Sequence, residues 1–175
     1  GDAVAAKVLI RAVEGVGVQS VTIVDAHAPA NIQGWSIPVT HLRPERVLGD
    51  AIQKRLQGKD IAVVAPDKGA VTRANLFGEY LHTNVYQLEK QRFGPGKVEI
   101  RAPALQSCPA QHLILVDDIL NTGGTLVQSI RAIRDMCSAK MSIAVTHGFF
   151  VNLAQQRLLD AGAQYVFYTD TFLSG

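Results

Sequence analysis

Hydrophobic residues along the chain follow two kinds of pattern. Short continuous runs of β-branched or apolar residues recur, and apolar residues between them are spaced three or four positions apart. Continuous runs of this length are typical of strands buried on both faces, whereas the spaced positions are typical of amphipathic helices. The runs are Val21–Val24, Ile61–Ala65, Val85–Leu88, Leu113–Val116, Ser142–Thr146 and Tyr165–Tyr168.

Two helical stripes lie between these runs, and strand and helix alternate through most of the chain. This alternation predicts an α/β fold with a mainly parallel sheet flanked by helices on both sides. The length of 175 residues predicts one domain, residues 1–175. Irregular structure is expected over Ala28–Pro44 and Gln91–Ala110. The stripes are Val47, Leu48, Ala51, Ile52 and Leu56, then Leu126, Val127, Ile130, Ile133 and Met136.

Charge and cysteine content favour no macromolecular partner. The 17 basic and 15 acidic residues are scattered and give a net charge of +2, so the sequence predicts neither nucleic-acid nor membrane binding. The two cysteines, Cys108 and Cys137, are far apart and form no C-x-x-C pair, which fits a reduced compartment. No apolar stretch approaches a membrane span, and no charged-then-apolar leader opens the chain. We therefore expect a cytoplasmic protein.

The most specific candidate site follows the run Leu113–Val116. Adjacent glycines allow close approach of the backbone to an anion, and the following helix start offers free N–H groups and a positive dipole end. The two carboxylates before it can bind vicinal hydroxyls or a hydrated divalent cation. The alternative is that the carboxylates only cap a turn. The segment reads Asp117-Asp118-Ile119-Leu120-Asn121-Thr122-Gly123-Gly124-Thr125.

A second candidate is the turn after Ile61–Ala65. Lys68 could bind an anion, Gly69 permits close backbone approach, and Asp67 could bind magnesium. A Pro-Asp-x-Gly sequence can equally be an ordinary turn. Ala70 completes the turn before the next helical segment.

Two further features are weaker when taken alone. His27 follows Val21–Val24, and a lone histidine there can be purely structural. Lys90 and Arg92 are two residues apart, so in an extended segment both side chains point the same way and could stabilise a transferring phosphoryl group. The alternative for them is a solvated surface loop.

Taken together, these segments resemble a known family. Val116 to Thr125 resembles the phosphoribosyl-diphosphate motif shared by type I phosphoribosyltransferases and ribose-phosphate pyrophosphokinases. The second group is the closer match, because its members carry the other segments in the same order over almost the whole chain. Those segments are Asp25-Ala26-His27-Ala28-Pro29, Ile32-Gln33-Gly34, Ile37-Pro38-Val39, Pro66-Asp67-Lys68-Gly69, Lys90-Gln91-Arg92 and Thr146-His147-Gly148.

The resemblance implies a type I phosphoribosyltransferase-like fold and a ribose-phosphate diphosphokinase, which transfers diphosphate from ATP to ribose 5-phosphate. Asn121, Thr122, Gly123, Gly124 and Thr125 would bind the 5-phosphate, and Asp117 and Asp118 the ribose hydroxyls. Asp67, Lys68, Gly69 and Ala70 would form the diphosphate loop. His27 and Asp67 would be magnesium ligands, and Lys90 and Arg92 catalytic residues. The implied ligands are ribose 5-phosphate, ATP, phosphoribosyl diphosphate and Mg²⁺.

Departures from the family pattern lead to further expectations. Asn121 stands where the family usually has an acidic residue. Members also begin with a homologous amino-terminal domain that carries much of the ATP surface, so we expect this chain to be a fragment that does not turn over alone. Family active sites lie between subunits, which implies a homo-oligomer, with a homodimer as our expectation. Two alternatives remain, a phosphoribosyltransferase acting on a base and a non-catalytic synthetase-associated regulatory protein.

Overall fold

The chain divides into two compact units in the computed structural model, which describes residues 2–27, 33–92 and 98–172. Gly1–Pro44 form the first unit and Glu45–Gly175 the second. Length alone led us to expect one domain. The alternating strands and helices predicted from the sequence lie mostly in the second unit.

The first unit consists of one helix and a pair of parallel strands. Helix α1 spans Asp2–Gly15, strand β1 spans Val21–Val24 and strand β2 spans Val39–Leu42. Val21 pairs with Val39 and the register continues to Val24 and Leu42. β2 lies in the stretch expected to be irregular, so that expectation is wrong for these four residues. Half-buried and exposed positions alternate along β2, and pairing with β1 defines the strand in place of a continuous apolar run.

The second unit is built on a five-stranded parallel sheet with the strand order β4-β3-β7-β8-β9. No helix in the described part of the chain combines the length and apolar character needed to cross a bilayer. The strands are β3 (Ile61–Ala65), β4 (Val85–Gln87), β7 (His112–Leu120), β8 (Lys140–Gly148) and β9 (Ala163–Thr169). The helices are α2 (Glu45–Arg55), α3 (Val71–Leu81), α4 (Gly124–Met136) and α5 (Ala154–Ala161).

Both faces of this sheet are covered by helices. Along β7, Leu113 and Leu115 join a buried cluster with residues of α4 and α5, while Ile114 and Val116 join a second cluster with residues of α2 and α3. Successive strand residues point to opposite faces, so a strand buried on both sides is apolar at every position. The predicted α/β architecture, a mainly parallel sheet flanked by helices, is confirmed.

An antiparallel hairpin extends from the edge of the sheet after β4. It consists of β5 (Glu89–Arg92) and β6 (Val98–Arg101), with Lys90 opposite Ile100. A short 3-10 helix, Pro103–Ser107, follows. The expectation of irregular structure over Gln91–Ala110 is therefore wrong for β6 and for this 3-10 helix.

Strand β7 is longer than its apolar run predicted. Asp117 pairs with Val145 of β8 and Ile119 with His147, so the backbone remains extended through Leu120. The acidic pair, which follows the apolar run in sequence, is therefore part of the strand itself. Neighbouring β8 also extends further than predicted, and pairing with it keeps these polar residues in the sheet.

Candidate functional site

Most of the predicted site residues lie at one edge of the sheet. Strands β4, β3 and β7 are adjacent and parallel, so their carboxyl ends meet at that edge. The residues that follow or end these strands include Lys90, Asp67 and the pair Asp117 and Asp118. The carboxyl edge of an open α/β sheet is where ligands generally bind.

Asp118 faces helix α3 and is buried there. Strand alternation places Asp117 and Asp118 on opposite faces of β7. Asp118 is 5% exposed, and its Oδ2 lies 3.5 Å from Nη2 of Arg73 in the first turn of α3. A buried carboxylate needs such a partner, because transfer of an unpaired charge out of water is costly.

Asp117 is an unusually basic carboxylate. Burial, followed by the negative charges of Asp118 and Asp67, raises the pKa of Asp117 to about 7, while the Asp118 N–H, which donates to Asp117 Oδ1 over 3.0 Å, opposes the rise. Near neutral pH this group is therefore partly protonated. A group whose pKa is shifted by burial and like charges in a candidate site is a functional indicator.

The turn after β7 leads into the first turn of helix α4. Gly123 adopts φ of 70° as the residue before α4, and a Cβ there would lie 3.2 Å from Leu120 Cδ1, so both conformation and space favour glycine. Helix α4 begins at Gly124, with Thr125 exposed in its first turn. Asn121 and Thr122 are also exposed. The free N–H groups and positive dipole end of α4 suit an anion such as a phosphate.

The turn at Asp67 is closed by its own side chain. Asp67 Oδ1 accepts hydrogen bonds from the backbone N–H of Gly69 at 3.0 Å and of Ala70 at 3.2 Å. Asp67 Oδ2 lies 3.9 Å from Lys90 Nζ. Lys68, the residue directly after Asp67, is exposed. The structure thus brings the predicted diphosphate loop and the predicted catalytic lysine into contact.

Arg92 and His27 were also predicted as site residues. Arg92 ends strand β5, where its backbone pairs with Val98, and its side chain is outside the described part. His27 is exposed in the first unit, whereas Asp67 lies in the second. Their role as joint metal ligands remains a prediction. Ala28, Pro29 and Ile32 of the histidine motif lie outside the described residues.

The carboxylates at this sheet edge are candidate magnesium ligands. Over residues 2–27, 33–92 and 98–172, no three His, Cys, Asp or Glu side chains form a group that could hold a metal ion by themselves. Magnesium in phosphoryl-transfer sites usually takes one or two carboxylates and completes its shell with water and substrate phosphates. The carboxylates of Asp67 and Asp117 have that donor chemistry.

Sequence reasoning missed two arginines at this edge. Arg73 lies on the same side of α3 as Phe77, four residues later, so a cation within an apolar helical stripe was an available signal. Arg157 of α5 donates from Nη1 to the Thr122 carbonyl over 3.0 Å. No sequence pattern pointed to Arg157, because this contact joins residues 35 positions apart.

Two similar proteins are ribose-phosphate pyrophosphokinases. The chain is 31% identical to a ribose-phosphate pyrophosphokinase of Methanopyrus kandleri over 98% of its own length and 58% of that protein. It is 34% identical to one of Caldanaerobacter subterraneus subsp. tengcongensis over 97% of its length and 54% of that protein. The resemblance to ribose-phosphate pyrophosphokinases is confirmed, and the chain spans little more than half the length of these relatives.

Solved structures and a domain family lead to the same fold. A phosphoribosylpyrophosphate synthetase from Mycobacterium smegmatis superposes with a TM-score of 0.86 at 26% identity, over 98% of this chain and 55% of that one. An adenine phosphoribosyltransferase from Saccharomyces cerevisiae, with a TM-score of 0.55 at 15% identity over 71% of this chain and 76% of that one, shares the fold. Residues 41–169 match the phosphoribosyl transferase domain, and the chain belongs to that family.

Proposed function

We propose that this chain supplies the ribose 5-phosphate half of a ribose-phosphate diphosphokinase active site. The enzyme would transfer a diphosphoryl group from ATP to the anomeric hydroxyl of ribose 5-phosphate, giving phosphoribosyl diphosphate and AMP. One observation carries the proposal: the acidic pair of β7 lies shortly before the glycine-containing turn at the start of α4, at the same sheet edge as the Asp67–Lys90 contact. The names of the similar proteins support it.

The sugar phosphate would lie across the end of β7. The 5-phosphate would accept hydrogen bonds from the backbone of Asn121 to Gly124 and from the hydroxyls of Thr122 and Thr125, and the helix dipole would favour its charge. Asp117 and Asp118 would accept hydrogen bonds from the ribose hydroxyls. The Arg73–Asp118 ion pair, at 3.5 Å, would hold one of these carboxylates in place.

The diphosphoryl group would lie over the neighbouring strand end. The Asp67 turn, in which the Gly69 and Ala70 N–H groups donate to Asp67 Oδ1, places the exposed Lys68 at this strand end, and Lys90 lies beside Asp67. Lys90, with Arg92 on the same strand, would stabilise the negative charge of the transferring group. This chemistry depends on positioning and electrostatics, without a covalent intermediate.

Magnesium fits the oxygen donors at this edge. Burial and then the like charges of Asp118 and Asp67 raise the pKa of Asp117 to about 7, and a divalent cation would relieve the repulsion between these carboxylates. When bound, the ion would neutralise phosphate oxygens of the nucleotide. In this proposal Asp67 is a ligand of the ion, and a metal role for His27, which lies in the first unit, stays a prediction.

Calorimetric titration of the 175-residue chain tests the binding half. We expect ribose 5-phosphate and phosphoribosyl diphosphate to bind, the latter more tightly with Mg²⁺, and both to bind more weakly to Thr125→Val and Asp118→Asn. Thr40→Val, in the first unit, is the matched control and should bind like the unchanged chain. Absence of binding of either ligand to the unchanged chain would contradict the proposal.

Product analysis tests the reaction. For the complete protein, AMP released from ATP and ribose 5-phosphate supports diphosphoryl transfer. Diphosphate released from phosphoribosyl diphosphate and a base would indicate the phosphoribosyltransferase alternative. We expect no AMP from the 175-residue chain alone, since much of the ATP surface belongs to the other domain of the resembling enzymes.

A further inference from the structure

The carbonyl oxygens of the turn after β7 are all bound by the protein. Leu120 O accepts hydrogen bonds from the backbone N–H of Phe149 at 2.9 Å and of Phe150 at 3.3 Å. Asn121 O accepts one from the Val151 N–H at 3.0 Å. Thr122 O accepts one from Arg157 Nη1 at 3.0 Å. The segment from Phe149 to Arg157 therefore contacts three consecutive peptide oxygens of the turn.

Because the peptide group is planar and trans, these contacts determine the direction in which the N–H groups of the turn point. In a trans peptide the C=O of one residue and the N–H of the next point in opposite directions. The bound oxygens of Leu120, Asn121 and Thr122 thus turn the N–H groups of Asn121, Thr122 and Gly123 away from the segment at Phe149. Those are the N–H groups that an anion at the start of α4 would meet.

The contacting segment has an unusual backbone. Phe150, Asn152 and Leu153 have φ of 50°, 54° and 56°, values that non-glycine residues seldom adopt. Such conformations persist only where surrounding contacts determine them, and they cluster at functional sites. Leu153 is 77% exposed, so burial of its side chain does not account for its conformation.

We propose that Arg157 and the segment Phe149–Val151 position the phosphate-binding turn by holding its carbonyl side, so that three successive N–H groups face the ligand. This inference rests on the proposed binding of ribose 5-phosphate. Arg157 is a positioning residue, because it acts through the Thr122 peptide and does not touch the ligand.

Arg134 provides a matched control. Its Nη1 donates to the Ala161 carbonyl at 3.1 Å, which is the same kind of bond, between α4 and the end of α5. Arg157→Met and Arg134→Met each remove one arginine and one hydrogen bond to a peptide oxygen. They should reduce thermal stability to a similar extent, but only Arg157→Met should alter the turn.

The experiment compares both variants of the 175-residue chain in two measurements. By NMR without ligand, the amide order parameters of Asn121 to Gly124 should decrease in Arg157→Met and stay unchanged in Arg134→Met. By calorimetry, Arg157→Met should bind ribose 5-phosphate about threefold to tenfold more weakly than Arg134→Met, the range for one hydrogen bond. Arg157→Lys, which keeps a donor, should recover part of this loss.

The possible failures are distinguishable. If the unchanged chain does not bind ribose 5-phosphate, the proposed function fails. If it binds, but Arg157→Met matches Arg134→Met in affinity and in order parameters, the positioning role is wrong. An affinity loss in Arg157→Met that only follows a loss of folded protein would be shared by Arg134→Met, and that result would also overturn the inference.

Discussion

Arg73 and Asp118 form an ion pair between helix α3 and strand β7, with Nη2 and Oδ2 3.5 Å apart and side chains 11% and 7% exposed. The pair connects the first turn of α3, which follows the Asp67 turn, to the acidic pair of β7. Two parts of the candidate site are therefore joined by one buried contact.

Removal of Arg73 should destabilise the fold strongly. In Arg73→Met the Asp118 carboxylate loses this buried partner, which typically costs about 3 kcal/mol or more. Arg101→Met is the control, because Arg101 pairs with Glu99 at 2.7 Å with side chains 53% and 46% exposed, and exposed pairs contribute little. Urea unfolding measures both. Equal losses in the two variants would contradict a stabilising role for the buried pair.

Asp117→Asn should change how stability depends on pH. The folded pKa of about 7 lies above the ordinary pKa of 3.8, so the protonated form favours folding. This contribution is complete below about pH 4 and is lost as pH rises through 7, at up to about 1.4 kcal/mol per unit. The stability of the unchanged chain minus that of Asp117→Asn should therefore fall between pH 4 and 7. A flat difference would show that Asp117 has an ordinary pKa.

His112 should make the fold sensitive to acid. Burial, followed by the charges of Lys59 and Lys140, lowers the pKa of His112 from 6.5 to about 4. Its contribution to stability is present above pH 6.5 and is lost as pH falls toward 4. His112→Leu combined with Ser142→Ala removes both partners of the 2.8 Å hydrogen bond, so the double variant should lose less stability than the unchanged chain between pH 6.5 and 4.5.

The single variant Ser142→Ala is the comparison for that experiment. Among the described residues His112 Nδ1 has no hydrogen-bond partner, so loss of the serine would leave the other ring nitrogen unsatisfied as well. We expect Ser142→Ala to be less stable than the double variant with His112→Leu and Ser142→Ala. If the double variant is as acid-sensitive as the unchanged chain in thermal unfolding, His112 is not the responsible group.

Lys90→Met should affect one ligand more than the other. Lys90 lies beside Asp67 at the predicted diphosphate loop. Its loss should therefore weaken the binding of phosphoribosyl diphosphate about tenfold or more and leave the binding of ribose 5-phosphate nearly unchanged. Lys54→Met, at an exposed position in the last turn of α2, is the charge control. Calorimetry with both ligands measures the ratio. If the binding of both ligands is weakened equally, the proposed contact between Lys90 and the diphosphate is wrong.

The pattern of apolar residues was sufficient to predict the main sheet, because its buried parallel strands are apolar at every position. Ile61–Ala65 and Leu113–Val116 stand out for this reason and form β3 and part of β7. Strands β2 and β6 have four residues each and contain no continuous apolar run, so their pairing partners decide their structure. The same holds for Asp117 to Leu120, which β8 keeps extended.

The candidate site was predictable where the chemistry is local in sequence. Asp67 to Ala70 and Asp117 to Thr125 are continuous segments whose residue types identify them. Arg73 and Arg157 depend on contacts over 45 and 35 positions, which no local pattern contains.

NMR titration of the labelled 175-residue chain with ribose 5-phosphate, and separately with ribose, tests the central claim most directly. The account predicts that ribose 5-phosphate shifts the amide signals of Asn121 to Thr125 in a saturable manner and that ribose, which lacks the phosphate, does so far more weakly. Saturable shifts confined to other parts of the chain, or equal responses to both sugars, would contradict it.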